Sequence, residues 1–155
     1  MTTANLAIDK PTLGGDDGAW DDKINDAIDK IDGAFDITTP TLTDGSGAGL
    51  TLTINAVKSG KVGPHLAFIA FNVSWPSNSS SAVAILSGNP LMPLANLSIP
   101  ALCHCSAAPY YSAPIFARVV AGTGNIEIFN GTTNGQVTNA QLSTGFARAC
   151  IVYPI

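Results

Sequence analysis

Cys103, His104 and Cys105 place three metal-ligating side chains in succession. On a strand, alternate residues share a face. The two sulfurs then point one way and the imidazole the other, so these three cannot close a tetrahedral zinc site within one chain. Cys150 offers a third sulfur to the cysteine face, and three copies of His104 around a symmetry axis offer a different ligand set. The competing reading, adopted here, makes Cys103 and Cys105 small core hydrophobes, so no metal and no other cofactor is expected. Three cysteines cannot all pair within one chain, and reduced thiols made in a cytoplasm are the expectation.

Acid–base chemistry is equally sparse. Beyond residue 49 the only carboxylate is Glu127, with Asp44 shortly before it, and the only imidazoles are His65 and His104. Glycoside hydrolysis needs two opposed carboxylates, which would have to be Asp44 and Glu127 or one acid contributed by each of two chains. The chain holds no G-x-S-x-G, no phosphate-cradling P-loop and no H-E-x-x-H. A catalytic role is not expected. Tyr110 and Tyr111 sit in an irregular stretch with Ala107, Ala108, Pro109 and Pro114. Tyrosine in a loop offers ring area and a hydroxyl to a sugar or protein ligand, and the same rings could simply cover a sheet edge. Trp75 beside Pro76 reads as packing at a strand end.

The elements that would carry these residues follow from hydropathy patterning. Residues 1–18 mix Thr, Pro, Gly and Asp and read as an extended leader that docks to other proteins. Over 19–35, Trp20, Ile24, Ala27, Ile31 and Ala34 recur at spacings of four and three, the seam of a coiled coil, with Ile28 and Phe35 widening the stripe. A helix of about 15 residues is marginal alone. It must bury this stripe against its own domain or against other copies of itself; the second is the reading adopted, and the seam does not by itself choose two strands or three. Residues 36–49 read as a linker in which Pro40 and several glycines stop the helix.

From residue 50 the periodicity changes to alternation. Strands are expected over 50–57, 65–75, 82–87, 97–105, 114–120, 125–129 and 146–153, with Gly60 and Gly63 as punctuation and turns at Asn130-Gly131 and Asn134-Gly135. Many short strands without a second helical pattern indicate a mainly β protein, a β-sandwich or jelly-roll head over 50–155 behind a helical stem.

Charge is unevenly placed. Charged residues make up only 12% of the chain. Residues 1–36 carry nine Asp against three Lys, a net −6, while the remainder nets +2. A charge-poor β body suits large surfaces hidden in subunit contacts, and no basic patch speaks for nucleic acid. There is no run of about 18 apolar residues to span a membrane and no basic start with an apolar core to direct secretion.

Three stretches, in order, resemble small fibre and receptor-binding proteins of tailed bacteriophages. Pro11-Thr12-Leu13-Gly14-Gly15 leading to Trp20 is similar to the lead-in that such proteins place before a short coiled coil. Thr39-Pro40-Thr41-Leu42 followed by Lys58-Ser59-Gly60-Lys61-Val62 resembles the entry to a distal β domain. Phe71-Asn72-Val73-Ser74-Trp75-Pro76 and Ser87-Gly88-Asn89-Pro90 resemble the strand pair that follows. The resemblance implies a homotrimer with a coiled-coil stem and jelly-roll head, made in a bacterial cytoplasm and mounted on the virion through its leader. Two function classes follow: a tail fibre adhering to a host-surface glycan or protein, or a capsid head fibre or decoration protein with weak or no host binding. A monomeric carbohydrate-binding module is a third.

Overall fold

The computed structural model describes residue 29 and residues 36–94, 100–106 and 113–155. Of the first 35 residues only Asp29 is described, as helical, so the leader and the seam residues Trp20, Ile24, Ala27, Ile28, Ile31, Ala34 and Phe35 lie outside the described residues. The described chain is mainly β, as the alternation predicts.

Nine strands follow in order: β1 (Ile37–Thr38), β2 (Thr43–Asp44), β3 (Thr53–Val62), β4 (Leu66–Ser74), β5 (Ile85–Ser87), β6 (Ala101–Cys105), β7 (Ile115–Val119), β8 (Ile126–Asn130) and β9 (Phe146–Pro154). They form one antiparallel sheet in the order β1-β3-β4-β9-β6-β7-β8-β5-β2. The sheet curls into a half-barrel whose two arms face each other across the core. β6 is the corner. His104 and Cys105 pair with Arg148 and Ala147 of β9, while residues 101 to 103 pair with β7. A strand that changes partner along its length lets a twisted sheet turn without opening an edge.

The core-facing residues are those the alternation selects. On β4, Ala67, Ile69, Phe71 and Val73 are buried, and on β9 Ala147, Ile151 and Tyr153 are buried with Ala149 packed beside them. Ile126 and Ile128 of β8, Ala117 and Val119 of β7 and Leu86 of β5 meet them from the other arm. Each large aliphatic side chain removed from water here contributes about 1.5–3 kcal/mol.

Two expectations need correction. Residues 36–49 are not a free linker but supply both outermost strands, β1 against β3 and β2 against β5, and Leu42 between them is buried. Short polar stretches of Thr and Asp give no periodic signal, because each strand is only two residues long. Gly60 is not punctuation either, since β3 runs on to Val62. A Cβ at Gly60 would stand 2.5 Å from the Asp36 carbonyl oxygen and 3.0 Å from the Phe68 ring, so the missing side chain is what admits β1. The two Asn-Gly pairs bracket a single loop. Asn130 accepts the Thr132 and Thr133 N–H groups, and Asn134 takes a left-handed φ of 54°.

Polar groups that enter the core are paired. Trp75 does close a strand end: it is buried, and its indole N–H donates to Asn139 Oδ1 at 2.9 Å. Asn139 Nδ2 donates to Ser46 Oγ at 2.8 Å, and Ser46 donates to Asp44, tying the loop after β2 to the opposite arm. Tyr153 donates to the Leu91 carbonyl and accepts from Asn89 Nδ2, while burial pushes its phenol above the usual range.

Replacing Asn139 by Leu strands the Trp75 N–H in the core and should cost about 2 kcal/mol in urea unfolding, whereas Ser46→Ala should cost less than half of that. Asp44 gives a pH test. Burial raises its pKa, but hydrogen bonds from the Ser46 hydroxyl and from the backbone of Leu50, Ser46 and Gly49 outweigh burial and hold it below 3.8. The stability it contributes is complete above the unfolded value and disappears as pH falls through the lower folded value. The melting-temperature gap between wild type and Asp44→Ala should therefore be full at pH 7 and close towards pH 2.

Candidate binding surface

The strand register brings together residues that are far apart in sequence. Across one arm, Ala56 of β3 lies opposite Asn72 of β4, Asn72 opposite Arg148 of β9, and Arg148 opposite His104 of β6. These four occupy one row on the face turned away from the core, because their neighbours Val57, Phe71 and Cys103 are buried. Phe146 stands beside the row. Its ring lies 5.5 Å from the His104 ring, and the Arg148 guanidinium carbon lies 5.5 Å from its centroid. Arginine over an aromatic face is a cation–π contact, and it fixes the direction of a long side chain that would otherwise be loose.

A cavity of about 650 Å³ lies at this part of the arm, a size that fits a small ligand. Its apolar lining includes Val57, Phe71, Cys103 and Ile115, and its polar lining is Lys58, Asn72, His104 and Arg148. Lys58 also donates to Thr39 Oγ1 at 2.6 Å, which ties it to the chain after β1. Among the described residues that line it there is no carboxylate. The lining therefore presents two cations, an amide and an imidazole on an apolar ground, a set that hydrogen-bonds hydroxyls, carbonyls or anions.

Of the cysteine cluster, Cys103 and Cys105 are both buried with their sulfurs 3.8 Å apart, and all three cysteines are free thiols. The hydrogen bond shared with Cys105, together with burial, holds the Cys103 thiol protonated far above the usual thiol range. A protonated, buried thiol is a poor nucleophile. The proposed third sulfur does not join them. Cys150 lies opposite Ala70 on the outward face of β9 and is exposed, since the same alternation that turns Ala149 and Ile151 towards the core turns it away. His104 is exposed on the side opposite the two sulfurs, as strand alternation requires. Among the described residues no group of three or more His, Cys, Asp or Glu side chains is placed to hold a metal.

The two acids do not converge. Asp44 is in register with buried Leu86 and Ile126, whereas Glu127, one residue on, faces the other side of the sheet. Glu127 instead accepts a salt bridge from Arg118 at 2.8 Å, and Arg118 also lies over the Phe129 ring. His65 sits in the β3–β4 turn, remote in register from His104. Tyr110 and Tyr111 lie outside the described residues.

The sequence singled out His104 and the cysteines but not Lys58, Asn72, Phe146 or Arg148. Each of those four reads alone as an outward-facing strand residue. Only the pairing of β3, β4, β9 and β6 puts them beside one another, and strand order across some 90 positions leaves no local signal. No family model, no curated protein and no solved structure matches this chain. No helix among the described residues is long and apolar enough to cross a membrane.

Thiol titration checks the cysteine geometry. The native protein should release one fast equivalent with an aromatic disulfide reagent, from Cys150, and three equivalents in guanidinium. Three fast equivalents in the native state would contradict the buried pair.

Proposed function

We propose that this chain is a non-enzymatic virion fibre protein of a tailed bacteriophage, a homotrimer whose β head adheres to a host-surface glycan or protein. The observation that carries the reading is the cavity beside Phe146, with its apolar ground and its Lys58, Asn72, His104 and Arg148 rim of hydrogen-bonding groups. Sugars are bound in this manner, with ring faces on apolar side chains and hydroxyls on fixed polar groups. In this reading the half-barrel is the jelly-roll-like head, residues 19–35 form the three-stranded stem through Trp20, Ile24, Ala27 and Ile31, and residues 1–18 attach to other virion proteins. Tyr110 and Tyr111, seven and six positions before Ala117 of β7, add contact area to the same ligand. The order of the three fibre-like stretches supports the same assignment.

Purified protein added to host cells before infection should block adsorption, and His104→Ala with Arg148→Ala should weaken cell binding about tenfold without moving the melting temperature, the scale of one or two lost charged hydrogen bonds. Normal adsorption together with antibody labelling of the capsid would replace this reading with that of a head fibre or decoration protein. A 15.9 kDa monomer in sedimentation at micromolar protein would replace it with a carbohydrate-binding module.

A further inference from the structure

The cavity is short of negative charge. Past Asp36 the side chains supply four strong cations, Lys58, Lys61, Arg118 and Arg148, and two acids, Asp44 and Glu127. Both acids are engaged elsewhere. Glu127 accepts from Arg118 on the other arm at 2.8 Å, and Asp44 accepts from the Ser46 and Leu50 N–H groups of its own loop. Lys61, at odd spacing from Lys58, projects from the other face of β3. Lys58 and Arg148 line the cavity, and neither has a carboxylate partner among the described residues. Cations of one sign around an apolar hollow focus their field there and concentrate an anion in it.

We infer that the ligand of this cavity is an acidic saccharide, its carboxylate held by the Arg148 guanidinium. The inference rests on the glycan-adhesion reading above and specifies the class of sugar. The first support is Arg148 itself. Its guanidinium carbon lies 5.5 Å from the Phe146 centroid, so the ring steadies the group and the N–H fork stays in the guanidinium plane. That fork matches the two oxygens of a carboxylate. The second is the floor. Between the two cations the outward positions are small, Ala56 opposite Asn72 and Ala70 opposite Lys58, which leaves room for a sugar ring. Asn72 and His104, the register neighbours of Arg148, offer partners to its hydroxyls. The third is spacing. Lys58 and Arg148 stand two strands and two residues apart, about 12 Å between Cα atoms. Lys58 is also drawn towards the chain after β1 by its bond to Thr39 Oγ1. A saccharide spans such an interval, whereas one small anion meets only one of the two charges.

Other ligand classes fit less well. A neutral glycan leaves both cations without a counter-charge against an apolar wall. An acidic polypeptide docks most readily by adding a strand to a sheet edge, and both outer edges of this sheet are only two residues long. Nucleic acid needs a longer track of cations than two.

Binding of the full chain to an array of carboxylate-bearing glycans and their methyl esters tests it, because the ester keeps the ring and removes the charge. Acidic members should be retained, and esterification should weaken binding about tenfold. Arg148→Gln should lose about tenfold as well, and Arg148→Lys should restore little of it, since an ammonium lacks the fork. Arg148 is exposed, so both variants should keep the wild-type melting temperature. Arg118→Gln, on the other arm, should bind as wild type does. Retention of acids and esters alike, wild-type binding by Arg148→Gln, or no acidic member retained would each overturn the inference. Displacement of the bound glycan by poly-glutamate at equal carboxylate concentration would also overturn it, in favour of an acidic polypeptide. The adsorption assay scores the parent reading separately. Blocked adsorption with only neutral glycans retained removes the acidic ligand and keeps glycan adhesion. Unblocked adsorption with acidic glycans retained keeps the ligand class and removes the host-adhesion reading.

Discussion

The fold depends on a short tether. β1 and β2 are the two outer edges of a nine-stranded sheet, yet only residues 39–42 separate them in the chain. Laid flat, nine strands would span about 38 Å between outer strands. Five Cα steps from Thr38 to Thr43 reach at most about 18 Å. The sheet can satisfy both distances only by curling, and Leu42 fills the core between the two arms. The bend is taken up at β6, whose five residues pass from β9 to β7. The same tether leaves both edges only two residues long, which limits the strand surface open to edge-to-edge association.

Curling also decides where function can sit. The concave side is filled by aliphatic side chains from both arms. What remains for recognition is the outward face of β1-β3-β4-β9-β6, divided between a polar row with its cavity and an apolar end beside β1. That division follows register: rows through Arg148 and His104 hold long polar side chains, and rows through Phe68 and Leu66 hold none. The charge asymmetry of the chain fits the division, with a positively charged body and an acidic stretch that joins it at the apolar end.

Several features were legible in the residues alone. The alternation over 65–75 and 146–153 marked both long strands, β4 and β9, because residues on a strand repeat every second position on one face, and which face is buried followed from the packing. The opposite orientations of His104 and its flanking cysteines followed from the same rule. Trp75 read correctly as a packed strand end. The errors have one source. Thr43-Asp44, Gly60 and Cys150 were judged by local chemistry, as linker, breaker and third sulfur of the cysteine face, while their states are set by partners 23 to 80 residues away: β5, β1 and the outward side of β4.

The sequence by itself determined the class of structure, the faces of its long strands and the gathering of acids into its first 36 residues, since each is written in periods or counts that need no partner. Strand order, the curl and the joining of Lys58, Asn72, His104 and Arg148 were decided by tertiary structure alone. Hydrogen bonds between strands are made by a backbone common to all residues. Which strand meets which is therefore settled only when the whole core closes.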